Sequence, residues 1–291
     1  MNKTYPIQRS PLYGLRNRRK LAELFGLDGS YFRREHNYQY SHFDKTKPNG
    51  GVRHFANPLG DLKHIQRRIH VLLQRIELPE WVKSGKCGES YINNGRYHID
   101  ANYVRTMDIF HFYDSVERNR VYTLFRETFL MADDIATIMT NLVMDGNTLP
   151  TGAPSSQLIA FWSYRDMFDE IQHLSKSYGC MFSLYVDDMA FSSKQQIPYA
   201  MRDEISVILH NYHMHAERKK DRYYKTNDYK IITGFGFRNG NAYTRNCKKK
   251  EIIELYREYL NKPEQVNTKS LKGKLNSAKQ NEPSLFMSIV I

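Results

Sequence analysis

The stretch Met181-Phe182-Ser183-Leu184-Tyr185-Val186-Asp187-Asp188-Met189-Ala190-Phe191-Ser192-Ser193 decides how the rest of the chain is read. Two adjacent carboxylates interrupt a β-prone, largely apolar run, and two strand-like arms about a two-residue turn are the short-range signature of a hairpin. Asp tolerates turn geometry, although Asn-Gly or Asp-Gly is commoner there. A solvated turn has no need of Phe182, Leu184, Val186 and Phe191 pressed around it. Two like charges about 5 Å apart repel by roughly 3 kcal/mol at an effective dielectric of about 20, a penalty that a divalent cation reverses. The stretch alone leaves two readings: a magnesium site at a hairpin tip, and a surface turn.

A second strand-like run, Val104 to Ile109, ends in Asp108. Joined to the hairpin in one sheet, it brings three carboxylates to one point, which is what two-metal phosphoryl transfer needs. Asp133-Asp134 is the same dipeptide in another setting. It opens a helical segment, where acidic side chains favour the dipole, and reads as a cap.

The composition fits a polyanion partner. Lys and Arg number 43 against 31 Asp and Glu, a net charge of 43 − 31 = +12. Residues 1–100 carry 18 basic and 9 acidic side chains, 101–200 carry 7 and 12, and 201–291 carry 18 and 10. Basic ends around an acidic middle suit a protein that grips nucleic acid while keeping carboxylates for metal at its centre. A merely basic soluble protein is the plainer alternative. The 21 Tyr and 15 Phe exclude low-complexity disorder. Cys87, Cys180 and Cys247 form neither a disulfide framework nor a zinc spacing. With no signal-peptide core and no apolar run near 18 residues, a cytoplasmic protein with no membrane partner is expected.

Along the chain, Asn17 to Gly26 reads as a short basic helix, with another from Ser30. Lys45 to Phe55 reads as a hairpin about Pro48-Asn49-Gly50-Gly51, with Lys47 and Arg53 near its tip, suited to clamping a triphosphate or simply solvated. Leu62, Ile65, Ile69, Leu72, Leu73 and Ile76 recur at helical spacing within Leu59–Leu78. Cys87 to Asn102 is polar and turn-rich. Helices are expected at about 117–130 and 133–144. The small-residue turn Leu149 to Ser156 should feed one helix to about Ser177, its serines satisfying free backbone donors and Gly152 letting backbone approach a ligand. A helix over roughly 198–213, strands near Lys230–Phe237 and Ala242–Thr244, and two or three short basic helices complete the chain.

These residues resemble the motifs of reverse transcriptases. Tyr185-Val186-Asp187-Asp188 is similar to their Y-x-D-D box, Met107 to Val116 (M-D-I-F-H-F-Y-D-S-V) to their first palm motif, and Leu149 to Ser156 to their L-P-Q-G-A-P-S-S motif. Asn94-Gly95-Arg96-Tyr97-His98 resembles the N-A-x-x-H box of the retron branch, with Gly95 where Ala is usual, and Ile232-Thr233-Gly234 resembles its V-T-G box. The resemblance covers most of the chain, more loosely beyond about residue 245.

The resemblance implies an α+β right-hand polymerase with a small antiparallel palm sheet. Residues 1–103 would form the N-terminal region and fingers, 104–240 the palm with a fingers segment at about 116–150, and 241–291 the thumb. Asp108, Asp187 and Asp188 become catalytic metal ligands for two Mg2+ ions, with Mn2+ as the alternative. Tyr113 falls on the steric-gate position, where a ring excludes a ribose 2′-OH. Lys47, Arg53, Thr151, Gly152 and Lys220 become contacts to the incoming dNTP, Lys220 being favoured over Lys219. Thr151 stands where Gln is usual and Gln157 where Pro is usual, which leaves the sugar contact and the helix start open. Asn94, His98, Thr233 and Gly234 become RNA contacts. The partners implied are a structured noncoding RNA as template and primer, dNTPs, an RNA-linked single-stranded DNA product, an accessory effector protein in antiphage defence, and a host RNase H. The alternatives are another bacterial reverse transcriptase, an RNA-dependent RNA polymerase and a catalytically silent RNA-binding scaffold.

Overall fold

Local chemistry sets the first helix boundaries in the computed structural model, which describes residues 4–33, 38–46, 50–287 and 289. Helix α1 (Arg18–Phe25) starts where the Asn17 side chain accepts from the Arg19 amide, and stops at Gly26, whose φ of 70° is left-handed. Such caps satisfy backbone groups that the helix cannot. The helix expected from Ser30 is a single 3-10 turn, Tyr31–Arg33. Strands β1 (Tyr40–Thr46) and β2 (Val52–Pro58) pair antiparallel with Lys45 opposite Arg53. Lys47 lies outside the described residues. Helix α2 (Gly60–Gln74) buries Leu62, Ile65, Ile69, Leu72 and Leu73 on one face, each worth roughly 1.5–3 kcal/mol on full burial.

The region read as polar loop contains helix α3 (Tyr91–Arg96), started by Ser90, whose hydroxyl accepts from the Asn93 amide. Strand β3 (Tyr103–Asp108) follows. Helix α4 (Arg118–Thr123) runs into a π turn at Leu124–Thr128, and α5 (Asp133–Val143) comes next. The N-cap of α5 is Ala132, so Asp133 and Asp134 are first-turn residues and not a cap. They pair with Arg126 and Arg18 respectively.

The single helix expected up to Ser177 is two, α6 (Ser156–Ser163) and α7 (Arg165–Ser177). They break at Tyr164, a fully buried ring whose hydroxyl accepts from the Glu117 amide (3.1 Å) and donates to the Ser115 carbonyl (3.3 Å). The serines do not cap α6: Ser155 makes no capping bond, and the Ser156 hydroxyl donates to the Pro150 carbonyl at 2.7 Å. Then come β4 (Met181–Tyr185), β5 (Asp188–Ser193), α8 (Tyr199–Asn211), β6 (Arg222–Tyr224), β7 (Lys230–Ile232), β8 (Phe235–Arg238), β9 (Asn241–Tyr243), α9 (Asn246–Asn261) and α10 (Thr268–Asn281).

The architecture is α+β with small antiparallel sheets: β1-β2, β4-β5-β3-β6 and β7-β8-β9. Phe182, Leu184, Met189, Phe191 and Met107 on one face of the four-stranded sheet join the main core with the helices. The opposite face carries Val104 and Ala190, packed against Ile92 of α3 and Ile232, Phe235 and Phe237 of the three-stranded sheet. Side chains alternate along a strand, so this second face also carries Asp108, Ser183, Asp188 and Ser192. Helices α9 and α10 close on a small core of Ile252, Leu271, Leu275 and Ala278. Among the described residues no helix is long and apolar enough to cross a membrane.

Candidate active site

Register across the hairpin pairs Tyr185 with Asp188, so the two turn residues are Val186 and Asp187. Asp188 is the first residue of β5, which corrects the picture of both carboxylates on the turn. Val186 has φ 63°. A β-branched residue there stores strain on the order of 1–3 kcal/mol. Ser84 holds the strained unit: its Oγ accepts from the Val186 amide at 2.8 Å. The segment before Ser84 is laced to the edge of β4, Leu184 donating to Trp81 (2.9 Å) and Lys83 donating to Leu184 (2.8 Å). Nothing in the local pattern around Ser84 marks it, because its partner is 102 residues away.

Asp108 stands directly opposite Asp188 in the β3–β5 ladder, and the Ile109 amide donates to the Asp187 carbonyl at 3.2 Å. Ligand oxygens of Asp108, Asp187 and Asp188 lie within 4.8 Å of one another. Burial, then the Asp108 charge, push the Asp187 carboxyl up to about 6. Asp188 is pushed up by burial first and then by Asp187 and Asp108. Like charges gathered out of water disfavour their own ionisation, and such shifts cluster at functional sites. Lys220 Nζ bonds Asp108 Oδ2 at 2.6 Å. Burial pulls its pKa down, but the bond to Asp108 and the two neighbouring carboxylates outweigh this and hold it above its ordinary value. One ammonium against three carboxylates leaves a hard-oxygen donor set in need of positive charge. The residues fit a divalent cation.

The backbone around Lys220 is fixed from both sides. Glu217 donates to the Asp108 carbonyl (2.7 Å) and Phe110 to that of His215 (2.8 Å). Asp221 is gripped by Arg105 (2.8 and 2.9 Å) and Arg202 (3.0 Å). The buried Arg105 guanidinium lies 5.2 Å from the ring centres of both Tyr199 and Tyr223. Sequence reading missed this anchor, since an Arg within a strand carries no signal of the pair of rings it packs against.

Tyr113 follows β3 in a 3-10 turn, and burial, then the Asp187 charge, raise its pKa. The Arg53 charge acts on both Tyr113 and Asp187 in the opposite sense. Thr151 and Gly152 lie at the base of the β1–β2 hairpin, the Thr151 carbonyl accepting from the Ala56 amide at 3.0 Å. Gly152 has φ 99°, and a Cβ there would sit 3.0 Å from the Phe55 ring. The glycine serves protein packing there.

Asn94 and His98 do not form an exposed RNA surface. They are 0% and 1% exposed and bonded to Ser183, Ser192 and Thr233 inside the protein, so the expectation of direct RNA contact is corrected for both. Gly95 of the same box packs so closely that a Cβ would fall 2.5 Å from Phe235 Cβ and nearer still to its ring. Thr233 and Gly234 form a left-handed pair, φ 46° and 92°. They line a cavity of about 420 Å³ with Arg245, Lys248 and Lys274.

No family model matches the chain. It is 26% identical over 167 residues to Retron Se72 reverse transcriptase of Salmonella heidelberg (strain 579083-10), covering 57% of this chain and 44% of that protein. It is 26% identical over 158 residues to Retron Ec86 reverse transcriptase of Escherichia coli, covering 54% and 49%. The kinship is with retron-type reverse transcriptases. Retron Ec83 reverse transcriptase, also of Escherichia coli, is 24% identical over 156 residues, half of each chain. The chain spans about half the length of the curated relatives it matches.

Proposed function

We propose that this chain is a retron-type RNA-directed DNA polymerase that extends a primer hydroxyl with deoxynucleotides on an RNA template. The observation that carries the reading is the meeting of Asp108, Asp187 and Asp188 within 4.8 Å at one end of an antiparallel sheet. The names of its relatives support the same activity.

Asp108, Asp187 and Asp188 would hold two divalent cations, Mg2+ in the cell. Bound there, such ions lower the pKa of an attacking hydroxyl and stabilise a leaving pyrophosphate. The remaining work is positioning and charge. Lys220 Nζ keeps its proton beside Asp108 and can give it, or a hydrogen bond, to a phosphate oxygen. Arg53, with Lys47, would hold the triphosphate from the β1–β2 hairpin. The Tyr113 ring would close the space a ribose 2′-OH needs.

In this reading residues 1–103 and about 116–150 act as fingers, the rest of 104–240 as palm, and 241–291 as thumb. The template and primer would be a structured noncoding RNA, and the product a single-stranded DNA linked to it. The cavity beside Thr233 and Gly234, lined by Arg245, Lys248 and Lys274 with Glu251 paired to the two lysines, supports an RNA contact on the thumb side. A cytoplasmic location, an effector protein, template removal by a host RNase H and a part in antiphage defence complete the proposal. The test is to purify the protein from cells that also carry the RNA encoded beside its gene. Bound nucleic acid sensitive to both RNase and DNase is expected; RNA alone, with no DNA made on supplying dNTPs, would overturn it.

A further inference from the structure

Buried polar groups must find partners, and those of Asn94 and His98 can be traced atom by atom. The Ser183 hydroxyl donates to Asn94 Oδ1 at 2.6 Å. Its single proton used, Ser183 Oγ can only accept from His98 Nε2, 2.8 Å away. Burial pushes His98 down to about 3, so the ring is neutral. A proton on Nε2 leaves Nδ1 as the acceptor, and the Ser192 hydroxyl donates to it at 2.6 Å. Asn94 Nδ2 donates to Thr233 Oγ1 at 3.1 Å, and Thr233 Oγ1 to the Tyr91 carbonyl at 3.5 Å. The chain of bonds runs one way from Ser192 to Tyr91, and no donor meets a donor.

Its ends matter for the site. Ser183 lies on β4, four residues before Asp187, and Ser192 on β5, four residues after Asp188. Ser183 is opposite Ala190 and Ser192 opposite Met181, so His98 bridges the hairpin on a diagonal, with its rigid ring between the two strands. Asn94 ties the same point to Thr233, on the wall of the basic cavity. Besides the β3–β5 ladder and the backbone bonds of Trp81 and Lys83 to Leu184, side chains fasten the hairpin at Ser84 on the turn and at the Asn94–His98 relay on the face that bears Asp108 and Asp188. Mutual repulsion of the carboxylates strains the hairpin that carries two of them, and the relay clamps its two strands to each other and to α3.

We propose that Asn94 and His98 are positioning residues that clamp the two strands of the Asp187–Asp188 hairpin to each other and to α3 for catalysis and couple the hairpin to the Thr233–Gly234 turn. This rests on the reading of the three carboxylates as a polymerase site. Ser192→Ala and Ser183→Ala each delete one hydroxyl with little loss of volume. On the full chain, kcat for synthesis on a primed RNA should fall about tenfold, with dNTP KM and RNA Kd within about twofold of wild type. Backbone hydrogen exchange should quicken over 181–193 and stay unchanged in α7, and Ser192→Thr should recover kcat. Folded variants with unchanged kcat and exchange would overturn the proposal, as would loss of RNA affinity with kcat intact. Should neither variant fold, nitrogen NMR of wild-type His98 decides: the neutral Nε2–H tautomer supports the relay, and Nδ1–H overturns it. Failure of the polymerase reading looks different. A wild type that makes no DNA, or an Asp187→Asn variant that does, removes that reading and leaves hydrogen exchange to judge the fastening.

Discussion

Asp108 faces Asp188 across the β3–β5 ladder, while Lys220 Nζ sits 2.6 Å from the Asp108 carboxylate. The ammonium answers the strand that enters the site, and the two hairpin carboxylates keep a raised affinity for protons. Metal-free, this site opposes the fold that builds it.

Asp187→Asn should therefore stabilise the metal-free protein. A carboxyl pushed up to about 6 from 3.8 binds its proton more tightly folded than unfolded. Its cost is fully present above about pH 6 and fades as pH falls towards the unfolded value. At pH 7, thermal unfolding in chelator should find the variant more stable by on the order of 2 kcal/mol, with the gap closing by pH 4. Added Mg2+ should stabilise the wild type and leave the variant unmoved. Equal stability at pH 7 would contradict the electrostatic account.

His98 acts in the opposite sense. Its folded pKa is pushed down to about 3 from 6.5, so below pH 6.5 the unfolded chain binds the extra proton. Stability from the neutral ring is complete above that pH and is lost on acidification at about 1.4 kcal/mol per pH unit. His98→Gln, compared with wild type by denaturant unfolding between pH 7 and 4, should flatten that slope. An unchanged slope would mean that the ring is not buried neutral.

Gly95→Ala should destabilise, although Ala favours a helix by about 1 kcal/mol. The new Cβ would overlap Phe235, which is fully buried and cannot swing out; overpacking of this kind costs about 1–3 kcal/mol. Phe235→Leu should recover much of the loss in the double variant. Additive losses in a double-mutant cycle would contradict this packing.

Tyr113→Val should raise ribonucleotide use relative to deoxynucleotide use by about tenfold or more. The ring is packed against Phe112 on the turn that follows β3, where the Asp187 charge reaches it. Competition between rNTP and dNTP in primer extension reads this, and unchanged sugar selectivity would remove the gate.

Much of this was legible in the sequence where periodicity or a dipeptide carries the signal. The α2 stripe, the Asn17 and Gly26 ends of α1, and the strand ending in Asp108 follow from local rules. The hairpin was legible but its turn was not, because a valine at φ 63° breaks the local rule and is held by Ser84 from elsewhere. Helix α3 escaped because its buried face is Ile92, Asn94 and Gly95, a polar and a glycine where the pattern looks for aliphatics. The RNA-contact role of Asn94 and His98 comes from the resemblance alone, while a lone His reads more often as a satisfied structural one; which partners satisfy it, 85 to 139 positions away, no local pattern tells.

The central claim is that the three carboxylates drive DNA synthesis on RNA, and primer extension tests it most directly. Purified wild type and Asp188→Asn are given Mg2+, dNTPs and a primed RNA template, and RNA binding is measured in parallel. The account predicts extension by the wild type and none by the variant, at equal RNA affinity. Extension by Asp188→Asn at the wild-type rate would contradict it.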